Sequence, residues 1–126
     1  MSAVIVDKFI RGVPYAKSKT KGRLQAPKAW SDQIRAQTSG LAKVSEACEL
    51  EVEFILPFDK FPPDYPFGMD LDNLLKRLLD ALGQTVLSEA PGTDSAVVTV
   101  RATKRKVRPG EEPGARVKIK TARFDE

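Results

Sequence analysis

Three aspartates and one lysine have the residue types and spacing expected for metal-assisted chemistry. Asp70 and Asp72 stand two residues apart, Lys76 follows one helical turn later, and Asp94 comes after an intervening loop. Extended residues two apart point to the same side, so the first two carboxylates are expected to face one point, where their repulsion favours a bound cation. Lys76 can partly offset that charge or stabilise charge developing on a transferring phosphate. The pattern therefore predicts an Mg²⁺ or Mn²⁺ site for phosphoryl chemistry.

Two features of the composition exclude other catalytic chemistries. The sequence has no histidine, so neither a Ser-His-Asp triad nor a Cys-His pair can form. It has one cysteine, Cys48, which rules out an intrachain disulfide and a multi-cysteine zinc site. Cys48 stands at the entry to an apparent strand, and we interpret it as a core residue rather than a nucleophile. A hydrolase of this composition must rely on carboxylates, lysines, hydroxyls and an oxygen-ligated metal.

A leucine-rich helix is predicted over residues 72–82 as the element that positions Asp72 and Lys76. Asp72 is expected to be its N-cap, and Gly83 is expected to end it in a left-handed conformation. The leucines share one face of the helical wheel and are expected in the core. They are Leu74, Leu75, Leu78, Leu79 and Leu82.

The segment that follows this helix determines where Asp94 lies. A helix of this length extends about 16 Å, and the loop after Gly83 can return the chain along it to bring Asp94 beside the helix N-terminus. Asp80 continues the same helix edge as the catalytic candidates. Because Lys76 and Arg77 are near enough to pair with it, we interpret Asp80 as structural.

The remaining elements predict the fold class. A second helix follows Pro27, with Trp30, Ile34 and Leu41 on one face. Apolar and β-branched runs predict strands at residues 4–10, 49–56, 96–102 and 116–120. Together these elements predict an α/β, α+β-like fold, with a single mixed sheet of about four strands packed by two or more helices. The whole chain, residues 1–126, is expected to form one domain.

The net charge of +4 is unevenly distributed along the chain. Residues 1–28 carry +6, residues 29–100 carry −7, and residues 101–126 carry +5. Basic segments on both sides of an acidic middle are suited to holding a polyanion near an acidic metal site, although two solvated loops would give the same pattern. The basic run at residues 104–108 fits either a DNA contact or a solvated hairpin tip.

Residues 69–82, with the sequence MDLDNLLKRLLDAL, resemble the signature helix of RusA-type Holliday-junction resolvases. Members of that family carry a second acidic motif after a short loop, usually two aspartates and a short polar pair before a valine. Residues 93–97, TDSAV, are similar to that second motif. Gly12-x-Pro14 before a basic loop is also similar, and the resemblance extends over about residues 4–104.

The resemblance implies a metal-dependent endodeoxyribonuclease that resolves four-way DNA junctions by paired symmetric nicks, in homologous recombination and DNA repair. Asp70, Asp72 and Asp94 would bind the metal, and Lys76 would be the catalytic lysine. The family uses Mg²⁺, with Mn²⁺ as a substitute, and forms homodimers. A two-fold dimer supplies two related sites for two symmetric cuts. The residues implied in binding the DNA backbone are Lys17, Lys19, Lys21, Arg23 and Lys28.

The sequence differs from the family pattern in three places. Thr93 replaces the first aspartate of the second motif, Ala96 replaces a longer polar residue, and residues 67–69 replace common basic residues. These differences leave two alternatives open. One is a looser branched-DNA or flap nuclease on the same fold. The other is a nucleic-acid-binding module without catalysis, which the acidic cluster disfavours because carboxylates without a metal repel phosphates.

The apolar runs of the sequence bear on its location. None approaches the roughly 20 residues that cross a bilayer, and the first residues lack the pattern of a signal peptide. The sequence therefore predicts a cytoplasmic protein with no membrane partner.

Overall fold

A four-stranded mixed sheet forms the centre of the fold in a computed structural model, which describes residues 3–15, 25–57 and 70–122. Two helices pack on one face of the sheet. The elements, in chain order, are β1 (Val4–Arg11), α1 (Gln25–Thr38), β2 (Cys48–Leu56), α2 (Leu71–Leu82), β3 (Val97–Lys106) and β4 (Gly114–Thr121). The predicted α+β fold with one mixed sheet is confirmed.

The strand order is β1-β4-β2-β3. Strand β4 is antiparallel to both of its neighbours, whereas β2 and β3 are parallel because α2 and its flanking segments form the crossover between them. Since β2 lies between β3 and β4, these two strands do not form a hairpin. The basic run at residues 104–108 is therefore not a hairpin tip, and its first three residues belong to β3.

The core lies between the sheet and the two helices. Strand β2 alternates for its first six residues, with Cys48, Leu50 and Val52 buried and the intervening glutamates partly exposed. The fully buried Cys48 thiol has a pKa raised by burial, in agreement with a packing role. Fully burying a large apolar side chain contributes about 1.5–3 kcal/mol. The helices contribute Trp30, Ile34, Leu74, Leu78 and Leu82 to this core.

Helix α2 begins one residue earlier than predicted, at Leu71. Its N-cap is Asp70, whose backbone is extended (φ −63°, ψ 133°) and whose carbonyl accepts a 3.1 Å hydrogen bond from the N–H of Leu74. The prediction that Asp72 caps the helix was wrong, since Asp72 lies within the first turn. The prediction of a left-handed Gly83 was also wrong. Gly83 has φ −61° because the chain continues into further tight turns rather than reversing there.

Helix α1 and strand β3 begin or end at residues that differ from those predicted. Helix α1 stops at Thr38, so Leu41 is not on its face but lies in the following loop, partly buried against the core. Strand β3 starts at Val97, and Ala96 belongs to a short 3₁₀ turn, Thr93–Ala96. Strand β3 also extends further than predicted, because its basic C-terminal end remains paired with β2 along the sheet edge.

A charged network on the exposed sheet face fixes the loop between β3 and β4. The Arg105 guanidinium lies 3.2 Å from the carboxylate of Glu53 and donates two hydrogen bonds, of 2.7 and 2.5 Å, to the carboxylate of Glu111. The backbone N–H of Arg108 donates to the same Glu111 carboxylate at 2.9 Å. Two residues of the basic run are therefore used in holding this loop to the sheet.

Gly114 stands where the sheet leaves no room for a side chain. A Cβ there would lie 2.3 Å from the carbonyl oxygen of Ile10 and 2.7 Å from Cζ of Phe9. We expect Gly114→Ala to lower the free energy of unfolding by about 1–3 kcal/mol, as overpacking does, measured by urea denaturation. The control is Gly40→Ala, because nothing lies within 4 Å of a Cβ at Gly40. Its effect should stay within about 0.5 kcal/mol, and equal effects of the two variants would contradict the prediction.

Glu111 should make stability depend on acid pH. The side-chain hydrogen bonds from Arg105, and then the backbone N–H of Arg108, lower the Glu111 pKa from 4.5 to about 2. Because the folded pKa lies below the unfolded value, this stabilisation is present above pH 4.5 and is lost as the pH falls from 4.5 towards 2. Glu111→Gln should flatten the plot of Tm against pH within that window. Arg105→Lys loses the bidentate contact with Glu111, so it should flatten the plot in part. Unchanged plots of Tm against pH in both variants would refute the role given to Glu111.

Candidate active site

A groove lined with carboxylates runs along one edge of α2. It has a volume of about 230 Å³, and its polar lining consists of Asp72, Lys76, Asp80 and Asp94. The first three are four residues apart on α2, so they project from the same edge at successive turns. Asp94 faces them from the 3₁₀ turn. With three aspartates and one lysine, the lining carries a net charge of −2.

Asp94 reaches this groove because the connection between α2 and β3 is anchored in the core. Val86 and Leu87 are fully buried. The N–H of Leu87 donates to the carbonyl of Leu82 at 2.9 Å, and the N–H of Val44 donates to the carbonyl of Val86 at 2.8 Å. A connection that is both buried and hydrogen-bonded cannot swing away without exposing these groups. The groove therefore has two walls of fixed relative position.

A buried pair of hydroxyls attaches the same connection to α1. The Oγ1 atoms of Thr38 and Thr85 lie 2.8 Å apart, and Thr38 also donates to the carbonyl of Ile34 at 2.7 Å. The Lys43 ammonium donates to the carbonyl of Thr85 at 2.9 Å. Removing either hydroxyl would leave its buried partner short of a hydrogen bond, which costs about 1–3 kcal/mol.

The backbone directly before Asp94 is left-handed at two consecutive residues. Gly92 has φ 69°, which glycine adopts readily, but Thr93 has φ 51°. For a β-branched residue this conformation costs about 1–2 kcal/mol. The Thr93 hydroxyl donates to the Gly92 carbonyl at 2.7 Å and lies 3.5 Å from the Asp94 carboxylate. The position of Asp94 is therefore held by a strained turn.

Asp70 lies outside the lining of the groove. Its side chain is exposed and accepts a long, 3.5 Å hydrogen bond from the Asn73 amide. The expectation that Asp70 and Asp72 face one point assumed an extended backbone through both residues, whereas Asp72 is helical. The structure thus brings Asp72, Lys76 and Asp94 together and leaves Asp70 at the helix N-cap.

The donor atoms of the groove fit a hard divalent cation. They are carboxylate oxygens, which suit Mg²⁺ or Mn²⁺. Among the described residues, no three Asp, Glu, Cys or His side chains are close enough to one another to form a metal-binding group. Mg²⁺, however, usually keeps several waters and takes one or two carboxylates together with substrate phosphates. The residues present therefore fit a partly hydrated ion.

The basic residues implied in DNA binding fall into two sets. Lys17, Lys19, Lys21 and Arg23 lie outside the described residues. Lys28 is exposed on α1, with its ammonium 3.1 Å from the carboxylate of Asp32. That ion pair is exposed and worth little, so it competes weakly with a polyanion for Lys28.

Sequence reasoning missed that Asp80 lines the groove. Asp80 was interpreted as a structural partner of Lys76 or Arg77, but it lies in the groove with Asp72 and Asp94. Arg77 instead projects towards α1, where its Nη1 donates to Ser31 Oγ at 3.1 Å. The eight-residue spacing of Asp72 and Asp80, with Lys76 midway between them, was the available signal, since it places all three on one edge of α2.

None of the helices within residues 3–15, 25–57 and 70–122 is both long and apolar enough to span a bilayer.

A mixed sheet covered on one face by two helices, with an acidic groove beside one of them, is the framework that holds the candidate residues. The model of the RusA endodeoxyribonuclease family matches residues 13–120, which include α2 and the turn that holds Asp94. The chain therefore belongs to the RusA endodeoxyribonuclease family, and the resemblance seen in the sequence is confirmed. No curated protein matches the chain.

The strain at Thr93 gives a stability prediction at this site. Asparagine tolerates the left-handed conformation better than a β-branched residue, so Thr93→Asn should raise the free energy of unfolding by about 0.5–1 kcal/mol. The measurement is urea denaturation. The control is Thr99→Asn in the extended strand β3, where asparagine is disfavoured and no gain is expected. Destabilisation of the same size in both variants would contradict the prediction.

Proposed function

We propose that this chain is a metal-dependent endonuclease that resolves four-way (Holliday) DNA junctions by paired symmetric nicks, in homologous recombination and DNA repair. The observation that carries the proposal is the groove in which Asp72, Lys76 and Asp94 converge from two elements. Membership of the RusA endodeoxyribonuclease family supplies the nuclease class. The signature motif over residues 69–82 supports the junction as substrate.

In this proposal Asp72 and Asp94 hold Mg²⁺, for which Mn²⁺ can substitute. Asp70 is retained as a third ligand on the family resemblance alone. Bound Mg²⁺ supplies an activated water and neutralises charge on the reacting phosphate. The Lys76 ammonium lies one turn from Asp72 on the same edge of α2, where it can stabilise the negative charge that develops during phosphoryl transfer.

We also propose that the active form is a homodimer. Resolution of a four-way junction requires two cuts related by two-fold symmetry, and the acidic groove beside α2 offers one site in each chain. A two-fold dimer presents two such grooves in the symmetry of the substrate. The proposed grip on the DNA backbone comes from the basic residues Lys17, Lys19, Lys21, Arg23 and Lys28.

Asp72→Asn should abolish junction nicking while binding persists or strengthens. The substitution removes a metal ligand, and it also removes a negative charge that repels phosphate. A metal ion contributes several kcal/mol to transition-state stabilisation, so the nicking rate should fall by about 1,000-fold or more. The assay uses a synthetic four-way junction beside a linear duplex of matched sequence, with Mg²⁺, with Mn²⁺ and with chelator. Asp7→Asn is the matched control, because Asp7 is exposed in β1 and does not line this groove.

The same assay distinguishes the proposal from its alternatives. Retained cleavage by Asp72→Asn at saturating metal would refute the site assignment. Equal cutting of flaps, forks and junctions would indicate a looser branched-DNA nuclease. Tight junction binding by the wild-type protein without cuts under any metal would indicate a binding module.

A further inference from the structure

A second groove lies between α1 and α2, adjoining the carboxylate groove. Its volume is about 360 Å³, and its charged lining consists of Arg35, Lys76, Arg77 and Asp80. Three bases and one acid give it a net charge of +2. Lys76 and Asp80 line both grooves, so this one edge of α2 separates an acidic cleft from a basic one.

Each of the two helices contributes a small side chain to the lining of the basic groove. Ser31 on α1 and Ala81 on α2 both line it, and both are buried, with 8% and 1% of their surface exposed. Neither side chain is long enough to fill the space above it. The longer side chains of Arg35 and Arg77 extend from the same two helices along its walls. The groove is therefore polar, with small side chains at its base and arginine side chains along its sides.

Arg77 contributes a cationic group to the lining of the groove. Its guanidinium donates to Ser31 Oγ at 3.1 Å, which ties it to α1. A guanidinium carries five N–H donors in a planar fork that matches two phosphate oxygens. Arg35 stands across the cleft and is hydrogen-bonded to Asp32. Since Asp32 is about half exposed, that ion pair weakens the charge of Arg35 but does not remove it.

We infer that the basic groove binds a backbone phosphate of the DNA strand at a position displaced from the phosphate that is cut. This inference rests on the proposed function and adds the path of the strand to it. A strand whose reacting phosphate lies beside Asp72 and Asp94 crosses α2 at Lys76 and enters the basic groove. Because the two grooves lie on either side of one helix, about 10 Å wide, the second phosphate is a near neighbour of the first along the strand.

The chemistry of the groove selects a phosphate rather than a base. Arg35, Lys76 and Arg77 are positively charged hydrogen-bond donors. Among the described residues, no aromatic side chain lines the groove, so it offers no surface for base stacking. Contacts to phosphates fix the register and direction of a strand without reading its sequence. The basic groove therefore positions the strand for cleavage in the acidic one.

The test compares Arg77→Gln and Arg35→Gln with the control Arg101→Gln, which removes an exposed arginine from β3 outside the groove. Junction binding is followed by fluorescence anisotropy across a salt series in chelator, so that no cutting occurs. Each groove variant should lower the slope of log K against log salt by about one and weaken binding roughly 3- to 10-fold at 0.1 M salt. The control variant should leave both the salt slope and the affinity unchanged.

Two further measurements separate phosphate binding from a structural role. Arg77→Lys keeps the charge, so it should restore the salt slope while recovering only part of the affinity. Arg35→Gln leaves the Arg77–Ser31 bond intact, so it tests the groove even if Arg77→Gln folds poorly, as judged by thermal melting.

The experiment can overturn the inference without overturning the proposed function. If the wild-type protein cuts junctions but both glutamine variants keep the wild-type salt slope and affinity, the inference is overturned and the proposed function stands. If the wild-type protein neither binds nor cuts a junction, the proposed function fails, and the inference fails with it.

Discussion

Burial of Leu74, Leu78 and Leu82 against the sheet sets the rotation of α2 about its own axis. These three side chains have at most 1% of their surface exposed. A helix rotated by one residue, about 100°, would expose two or more of them and lose several kcal/mol of apolar burial. Because this rotation is fixed, the edge that carries Asp72 and Lys76 must face the turn before β3. The flank that carries Arg77 must then face α1. Both grooves are consequences of where one apolar stripe lies.

The second wall of the acidic groove has a different physical origin. Asp94 is placed by a connection whose apolar residues Val86 and Leu87 are buried and whose last turn is strained at Thr93. The family pattern has an aspartate at that position, and aspartate tolerates a left-handed backbone better than threonine does. The threonine therefore retains the turn at an energetic cost that the buried connection offsets. Strained residues of this kind persist only where the surrounding structure determines them, and they are frequent beside functional groups.

The sequence could predict what depends on local periodicity and on the motif. The alternation of β2 and the mixed sheet followed from residue patterns, and the family followed from residues 69–82. Of the five leucines expected in the core, Leu74, Leu78 and Leu82 are buried, whereas Leu75 and Leu79 are partly buried and line the acidic groove. The helix cap was misplaced by two residues, because Asp70 and Asp72 are equally good capping residues in sequence and only the backbone distinguishes them. The expectation that both carboxylates face one point rested on an extended backbone through residues 70–72, and the role of Asp70 as a metal ligand stays a prediction.

What the sequence could not predict depends on packing between distant segments. The basic groove requires Ser31 and Ala81 to line one space, although they are fifty residues apart in the chain. The position of Asp80 in the acidic groove depends likewise on Asp94 returning through a buried loop. The residue pattern within each helix does not indicate which flank of α1 lies against which flank of α2.

The opposite charges of the two grooves bear on how the proposed nuclease would bind a polyanion. A lining of −2 repels a phosphate unless a cation is present, whereas the adjoining lining of +2 attracts one without a cation. In the proposed function, the basic groove would hold the strand without a metal ion. Asp72 and Asp94 would hold the ion beside the next phosphates. Strand and metal would then strengthen each other's binding by the same factor, as linkage requires. Lys76 and Asp80 line both grooves, so they lie between the two proposed binding sites.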